Sequence, residues 1–272
     1  MKISVVGVGS LGSALVRGIL KEQIALSSEL TLYNRSMTDY LTELKSAGIS
    51  VRGPKQRGEG IEAIDLLLIA VKPQEVANAL LPWSGELAPD TVVLSVMAGV
   101  TVSTIRHHLN GHAAIVRAMP NLGVYVGSSA TGVFAPTLLS SEQVDRVTAL
   151  FEKFGSVYQL LEEQMLDGAT AIAGSGPAYV CWLAEQMIAA GVEFGFDREQ
   201  AREIVVQTLI GTAQLLKQRE CEPSFIREMV TSKGGTTAAA LRVVDAERCV
   251  ETFERAFQAA FARARELSAS RV

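Results

Sequence analysis

The chain is poor in the residues on which much enzyme chemistry depends: it has three histidines, three cysteines and 6% aromatics in 272 residues, and no excess of basic charge. Each shortage excludes something. Cys181, Cys221 and Cys249 are far apart and form no C-x-x-C pair, so they read as reduced intracellular thiols and not as a disulfide framework. His107, His108 and His112 lie in one short stretch broken by Asn110-Gly111, which reads as a surface turn, and no metal is expected. There is no Ser–His–Asp arrangement and no H-E-x-x-H motif. A net charge of -4 argues against a nucleic-acid partner. The most apolar run, Ile64 to Val71, contains Asp65 and is far shorter than the ~20 residues that span a membrane, so no membrane partner is expected. Met1-Lys2 leads straight into an apolar strand without a signal peptide, and the expected location is the cytoplasm. What is present, 48% hydrophobic and 20% charged, is the composition of a globular chain with a large core.

Over the first half, short β-rich runs alternate with helical patterns. Ile3 to Val6 precedes a helical spacing from Leu11 to Leu20; Leu30 to Tyr33 precedes a helix from Thr38 to Ala47. Ile64 to Val71 and Thr91 to Val96 are continuous apolar runs, as expected of central strands covered on both faces, and Ala114 to Arg117 is a fifth candidate. A helix is expected from about Val102. This alternation predicts an α/β fold: an N-terminal Rossmann-type doubly wound sheet over residues 1–158.

At the first strand–helix junction stands Gly7-Val8-Gly9-Ser10-Leu11-Gly12, a G-x-G-x-x-G fingerprint in the right context. Gly7 permits the tight turn, Gly9 admits a pyrophosphate, and Gly12 allows close helix–strand packing, while Ser10 and Leu11 open a helix whose free N–H groups favour phosphate. An NAD site commonly has an acid at the end of the second strand. Here that strand ends Tyr33-Asn34-Arg35-Ser36, and Arg35, helped by Asn34 and Ser36, suits a 2′-phosphate. The expected cofactor is NADPH in preference to NADH.

After Tyr158 the alternation stops, and residues 159–272 read as an all-helical C-terminal domain. Helices are expected over Pro177–Phe194, Arg198–Leu216, Pro223–Val230, Thr237–Val244 and Glu247–Leu267. The long apolar helix from Pro177 exceeds what one small domain can cover, so a homodimer through these helices is expected. Two small-residue clusters precede helices: Ala173-Gly174-Ser175-Gly176-Pro177-Ala178-Tyr179, and Thr231-Ser232-Lys233-Gly234-Gly235-Thr236-Thr237. Hydroxyls and amides at such a helix start make a nest for a carboxylate or phosphate. A chain with no obvious acid or base suits a substrate needing little proton help, such as an iminium ion.

Taken in order, these pieces resemble the pyrroline-5-carboxylate reductase family over essentially the whole chain. They are the Gly7–Gly12 turn, Ala70-Val71-Lys72-Pro73-Gln74, Val96-Met97-Ala98-Gly99-Val100, Val116-Arg117-Ala118-Met119-Pro120-Asn121, and the two clusters above. The resemblance implies hydride transfer to the C=N bond of L-1-pyrroline-5-carboxylate, giving L-proline, the last step of proline biosynthesis. It implies that Ala70, Val71, Lys72, Pro73, Ala98, Gly99 and Asn121 lie at the cofactor. It further implies that Ser232, Gly234, Gly235, Thr236 and Thr237 hold the substrate carboxylate, and that Thr170 bonds the ring nitrogen as the catalytic residue. Family members dimerise through C-terminal helices, and many assemble dimers into rings.

The chain departs from the family at three places. Leu122-Gly123 replaces the usual Thr-Pro after Asn121, which should loosen that loop; Ala173 replaces a serine; and Lys233 stands where many members have proline. Two alternatives stay open, a reductase of a related cyclic imine and a non-catalytic NADPH-binding regulatory relative. A β-hydroxyacid dehydrogenase is disfavoured, because Gly174 to Ala190 contains neither the lysine nor the asparagine it needs.

Overall fold

Strands whose side chains are apolar on both faces must be covered on both, and the β1, β4 and β5 strands, Ile3–Val6, Leu66–Ile69 and Val92–Ser95, are buried at every position. In a computed structural model, residues 1–54, 56, 63–219 and 222–269 are described; Cys221 lies outside them. They fall into two compact units, Met1–Ser175 with Ala260–Val272, and Gly176–Ala259. The composition changes at Tyr158, whereas the chain leaves the first unit at Ser175, because α6 (Met165–Ala169) and the π-helical turn Thr170–Gly174 still contact the sheet.

In the first unit, the eight strands among the described residues form one sheet in the order β3-β2-β1-β4-β5-β6-β7-β8. The remaining strands are β2 (Leu30–Tyr33), β3 (Ser50–Arg52), β6 (Ile115–Met119), β7 (Ser129–Phe134) and β8 (Gly155–Gln159). Side chains alternate between two cores. Ile3, Val5, Leu30, Leu32, Leu66, Leu68 and Leu94 pack with α1 (Ser10–Lys21) and α5 (Ser141–Glu152). Val6, Tyr33, Leu67, Ile69 and Val93 pack with α3 (Val76–Leu80) and α4 (Val102–His108). Full burial of each Val, Leu or Ile contributes roughly 1.5–3 kcal/mol, so these two layers hold the sheet rigid beneath the glycine turn.

The expected elements are present with ends displaced by up to three residues, and α2 spans Asp39–Ser46. The sheet is not wholly parallel. β7 runs antiparallel to β6, because a short 3₁₀ turn, Leu122–Val126, joins them where a parallel partner needs a helical crossover. β3, β7, α5 and β8 lie beyond the sequence expectation: β3 has three residues and β7 is rich in small ones, so neither shows an apolar run.

The second unit is helical: α7 (Gly176–Glu193), α8 (Arg198–Arg219), α9 (Pro223–Met229), α10 (Thr236–Ala246) and the start of α11 (Cys249–Ala269). Its internal core is thin. Ala201, Val205 and Ile226 are buried, Tyr179 and Trp182 of α7 make edge contacts with Phe257 and Phe253 of α11, and those two phenylalanines stack on each other. Gly191 lets α8 approach: a Cβ there would stand 3.0 Å from Ala201 Cβ. Large apolar side chains stay uncovered within the chain, Phe194 at 79% and Val243 at 63% exposure among them.

The histidine stretch is a turn. His107 and His108 end α4, and Asn110 and Gly111 both have positive φ. Among the described residues no three His, Cys, Asp or Glu side chains are grouped as metal ligands. His112 points back to the sheet, with Nε2 2.8 Å from the Thr91 carbonyl, and burial lowers its pKa below 6.5. The unfolded chain therefore binds a proton there more readily than the folded one, so this contribution to stability is complete above about pH 6.5 and is lost as pH falls. Thermal melting across pH 5–8 should show a decline on the acid side that His112→Gln flattens; parallel curves would remove His112 as its source.

Candidate functional site

The glycine turn occupies the point where the strand order reverses, between β2 and β4 at the carboxyl end of β1, where doubly wound sheets bind their ligands. Gly7 has φ +93°, and a Cβ on it would lie 2.6 Å from Val71 Cγ1 and 2.7 Å from Val71 N. A Cβ on Gly12 would overlap the Gly7 carbonyl. Gly9 faces open space, with nothing within 4 Å of its would-be Cβ. Gly9 is also the N-cap of α1, supplies no side-chain cap, and is followed by no acid in the first turn. The N–H groups at Ser10, Leu11 and Gly12 are thus left for a ligand, and the helix dipole there favours an anion. By contrast α2, α4 and α5 are capped by the side chains of Thr38, Thr101 and Ser140. These features fit a pyrophosphate.

Asn34 turns out to brace the turn: its Oδ1 accepts from Val8 N at 3.0 Å and its Nδ2 donates to the Ser36 carbonyl at 2.8 Å. Arg35 extends into solvent, 81% exposed, and pairs with Glu75 at 3.3 Å. Ser36 is exposed beside it. Ala70 N–H donates to the Val6 carbonyl, and Val71 seals the floor under Gly7. Lys72 is exposed at the head of the 3₁₀ turn Pro73–Glu75. Ala98 is half-buried, whereas Gly99 is buried with φ +68°; a Cβ there would meet the Leu267 backbone at 2.7 Å, so its small size serves the end of α11.

Behind these loops lies a buried charge. Arg117 on β6, 4% exposed, donates to Glu163 Oε1 at 2.8 Å, and the same oxygen accepts from Val102 N at 2.6 Å. Arg117 Nη2 also reaches the Met97 carbonyl at 3.5 Å. One turn on, buried Asp167 accepts from Ser268 Oγ at 2.7 Å. This network holds the segment that presents Thr170, whose Oγ1 donates to the Leu166 carbonyl at 2.7 Å. Thr170 opens a π-helical turn, a feature common at functional sites. Asn121 Nδ2 donates to the Ala173 carbonyl at 3.1 Å, and its Oδ1 accepts from Gly123 N at 2.9 Å. The Leu122-Gly123 loop is therefore tied by a bond that proline at 123 could not make, in place of the expected loosening.

In the second unit α10 repeats the arrangement of α1. Gly235 is its N-cap without a side-chain cap, no acid lies in its first turn, and Gly234 has φ +75°. Gly235 N–H donates to the Ser232 carbonyl at 3.0 Å, and Ser232 Oγ lies 2.5 Å from where a Cβ on Gly235 would stand, at the helix start.

A glycine turn at the switch point of a doubly wound sheet, backed by an uncapped helix, defines a dinucleotide-dependent oxidoreductase. Residues 2–99 match the family described as NADP oxidoreductase coenzyme F420-dependent, and residues 163–267 match pyrroline-5-carboxylate reductase dimerisation. Pyrroline-5-carboxylate reductase 2 of Bacillus subtilis is 37% identical over 92% of this chain and 89% of its own length. The Synechocystis enzyme of the same family is 32% identical, over 98% of each. The structure of a pyrroline-5-carboxylate reductase from Coxiella burnetii is 30% identical with a TM-score of 0.83, over 98% of each chain. That of Plasmodium falciparum pyrroline carboxylate reductase, with NADP bound, is 25% identical with a TM-score of 0.85, over 99% of this chain and 98% of its own. The chain belongs to the pyrroline-5-carboxylate reductase family.

Sequence reasoning passed over Glu163, Asp167, Ser268 and Glu75. A lone arginine inside the apolar run Ala114 to Ala118 was the available signal for a buried ion pair, but nothing local names its partner 46 residues away. Glu163→Ala should lower the unfolding free energy by about 3 kcal/mol, because it strands the Arg117 charge. Urea denaturation measures this, and a change below about 1 kcal/mol would make the pair incidental.

Proposed function

We propose that this protein reduces L-1-pyrroline-5-carboxylate to L-proline with hydride from NADPH. The observation that carries the reading is a pair of helix starts, at α1 and α10, that have glycine N-caps and no capping side chain. One suits a pyrophosphate and the other a small carboxylate. The full-length similarity to proteins named pyrroline-5-carboxylate reductase supports the choice of substrate.

NADPH, when bound, supplies the hydride; the protein supplies position. The N–H groups of Ser10, Leu11 and Gly12 receive the pyrophosphate, Arg35 and Ser36 the 2′-phosphate, and Asn34 keeps the turn open. Ala70, Val71, Lys72, Pro73, Ala98 and Asn121 belong to the loops around the cofactor, with Gly99 as their packing point. Ser232, Gly234, Gly235, Thr236 and Thr237 hold the carboxylate. Thr170 has directed its hydroxyl proton to the Leu166 carbonyl, so its remaining lone pairs suit an iminium N–H, which is a donor. A protonated imine needs no further acid to accept hydride. The setting we propose is the cytoplasm, in line with the bacterial relatives; no described helix is long and apolar enough to cross a membrane.

NADPH oxidation with racemic pyrroline-5-carboxylate should yield proline, read at the nicotinamide absorbance and by mass spectrometry. NADPH binding without turnover would overturn the substrate. Thr237→Ala should raise KM about tenfold or more, through a lost charge-assisted bond of roughly 1.5–3 kcal/mol; unchanged kinetics would remove Thr237 from the site.

We further propose a homodimer through the helices of the second unit, with dimers gathered into rings. The match to the dimerisation family and the uncovered Trp182, Phe194, Val243 and Val250 support it. Light scattering should give twice the chain mass or a multiple; a monomer at micromolar concentration would refute it.

A further inference from the structure

Arg35 does not meet a 2′-phosphate unopposed. Its Nη1 lies 3.3 Å from Glu75 Oε1, and both side chains reach solvent, at 81% and 44% exposure. The two arrive from different strands. Arg35 follows β2, and Glu75 ends the 3₁₀ turn that follows β4, on the far side of β1 in the sheet. In sheets that take NAD, an acid at the end of the second strand accepts a hydrogen bond from the ribose 2′-hydroxyl. That position has no acid here, since the strand runs into Asn34, Arg35 and Ser36. A carboxylate nevertheless reaches the same guanidinium, supplied by the β4 loop.

We infer that Glu75 is a specificity-determining residue that lowers the preference for NADPH and lets the site accept NADH. The inference rests on the cofactor reading given above for the Gly7–Gly12 turn and Arg35. A 2′-phosphate carries close to two negative charges at neutral pH and competes with Glu75 for one guanidinium. Its arrival breaks the resting ion pair and leaves two anions side by side, which is unfavourable. A free 2′-hydroxyl is neutral; it can donate to Glu75 while the ion pair stays intact. Because both groups are exposed and screened, the effect amounts to several-fold and not to orders of magnitude. Arg35 thus attracts the phosphate and Glu75 moderates that attraction.

The test is equilibrium titration of the full chain with NADPH and with NADH, without substrate, followed by nicotinamide fluorescence. The wild type should bind both. Glu75→Gln keeps the shape and removes the charge; it should tighten NADPH about fivefold, leave NADH unchanged or weaker, and steepen the salt dependence of NADPH binding. Arg35→Ala should weaken NADPH far more than NADH. An unchanged NADPH-to-NADH ratio in Glu75→Gln, with Arg35→Ala still selective, overturns the role of Glu75 alone. If Arg35→Ala weakens both coenzymes equally, or the wild type binds neither, the cofactor reading fails and this inference fails with it.

Discussion

The ion pair between Arg117 and Glu163 is the constraint on which the loops of the first unit depend. Burying a guanidinium in a strand is costly, and a well-packed apolar pair would serve stability as well or better. Arg117 Nε, buried and without a hydrogen-bond partner among the described residues, shows that the cost is not fully offset. What the pair provides is register. One carboxylate oxygen accepts from Arg117 on β6 and from the Val102 N–H at the start of α4, where the helix dipole favours a negative charge. The same guanidinium reaches Met97 in the loop after β5. From Glu163 the chain runs directly through α6 to Asp167, which secures Ser268, and to Thr170. Sliding α6 by one residue would break the contacts of Glu163 and Asp167 together, so the position of Thr170 is set by these polar contacts and not by packing alone.

Much of this was legible in the sequence, for identifiable reasons. Continuous apolar runs at Ile64 to Val71 and Thr91 to Val96 can only be strands covered twice, and the two cores divide their side chains by alternation. The glycines at 7, 9 and 12 each have a separate steric or ligand reason. Illegible were features whose cause lies elsewhere in the chain. The direction of β7 follows from the length of the link from β6, and its small residues give no period to read. Asn34 looks like a phosphate donor in the sequence, yet its amide bonds to Val8 and Ser36. Gly99 looks like a cofactor glycine, yet Leu267 fills the space beside it. A residue type shows that contact is close, but not what it is close to.

The helix starts of this chain are closed in different ways. Thr38, Thr101 and Ser140 close helices that have only to be stable, each satisfying an N–H that would otherwise be free. Glycine at α1 and α10 forgoes that bond at a cost of only about a few tenths of a kcal/mol per cap. At Gly9 it leaves open space where a Cβ would stand, whereas at Gly235 it makes room for Ser232 Oγ, 2.5 Å from the would-be Cβ. Both starts also lack acidic residues in the first turn, where Asp or Glu would add stability to an ordinary helix. α3 and α9 share both omissions, so what sets α1 and α10 apart is the glycine N-cap in a glycine-rich loop.

The scarcity of catalytic side chains then has a chemical explanation. A group that must protonate its substrate needs a perturbed acid in a dry pocket; a group that only receives an existing N–H needs a lone pair held in place. In the function proposed above, Thr170 is such an acceptor. Its proton goes to the Leu166 carbonyl of its own helix, its carbonyl accepts from Ser175 N, and the π turn widens the helix at that residue. A serine or threonine bonded backward in this manner ordinarily costs a helix a little stability and bends it. Here the π turn begins three residues after Asp167, which accepts from Ser268 Oγ. A hydroxyl with its donor committed discriminates between protonation states of an imine: it bonds the iminium, the form that accepts hydride, and offers nothing to the neutral nitrogen, which has a lone pair of its own.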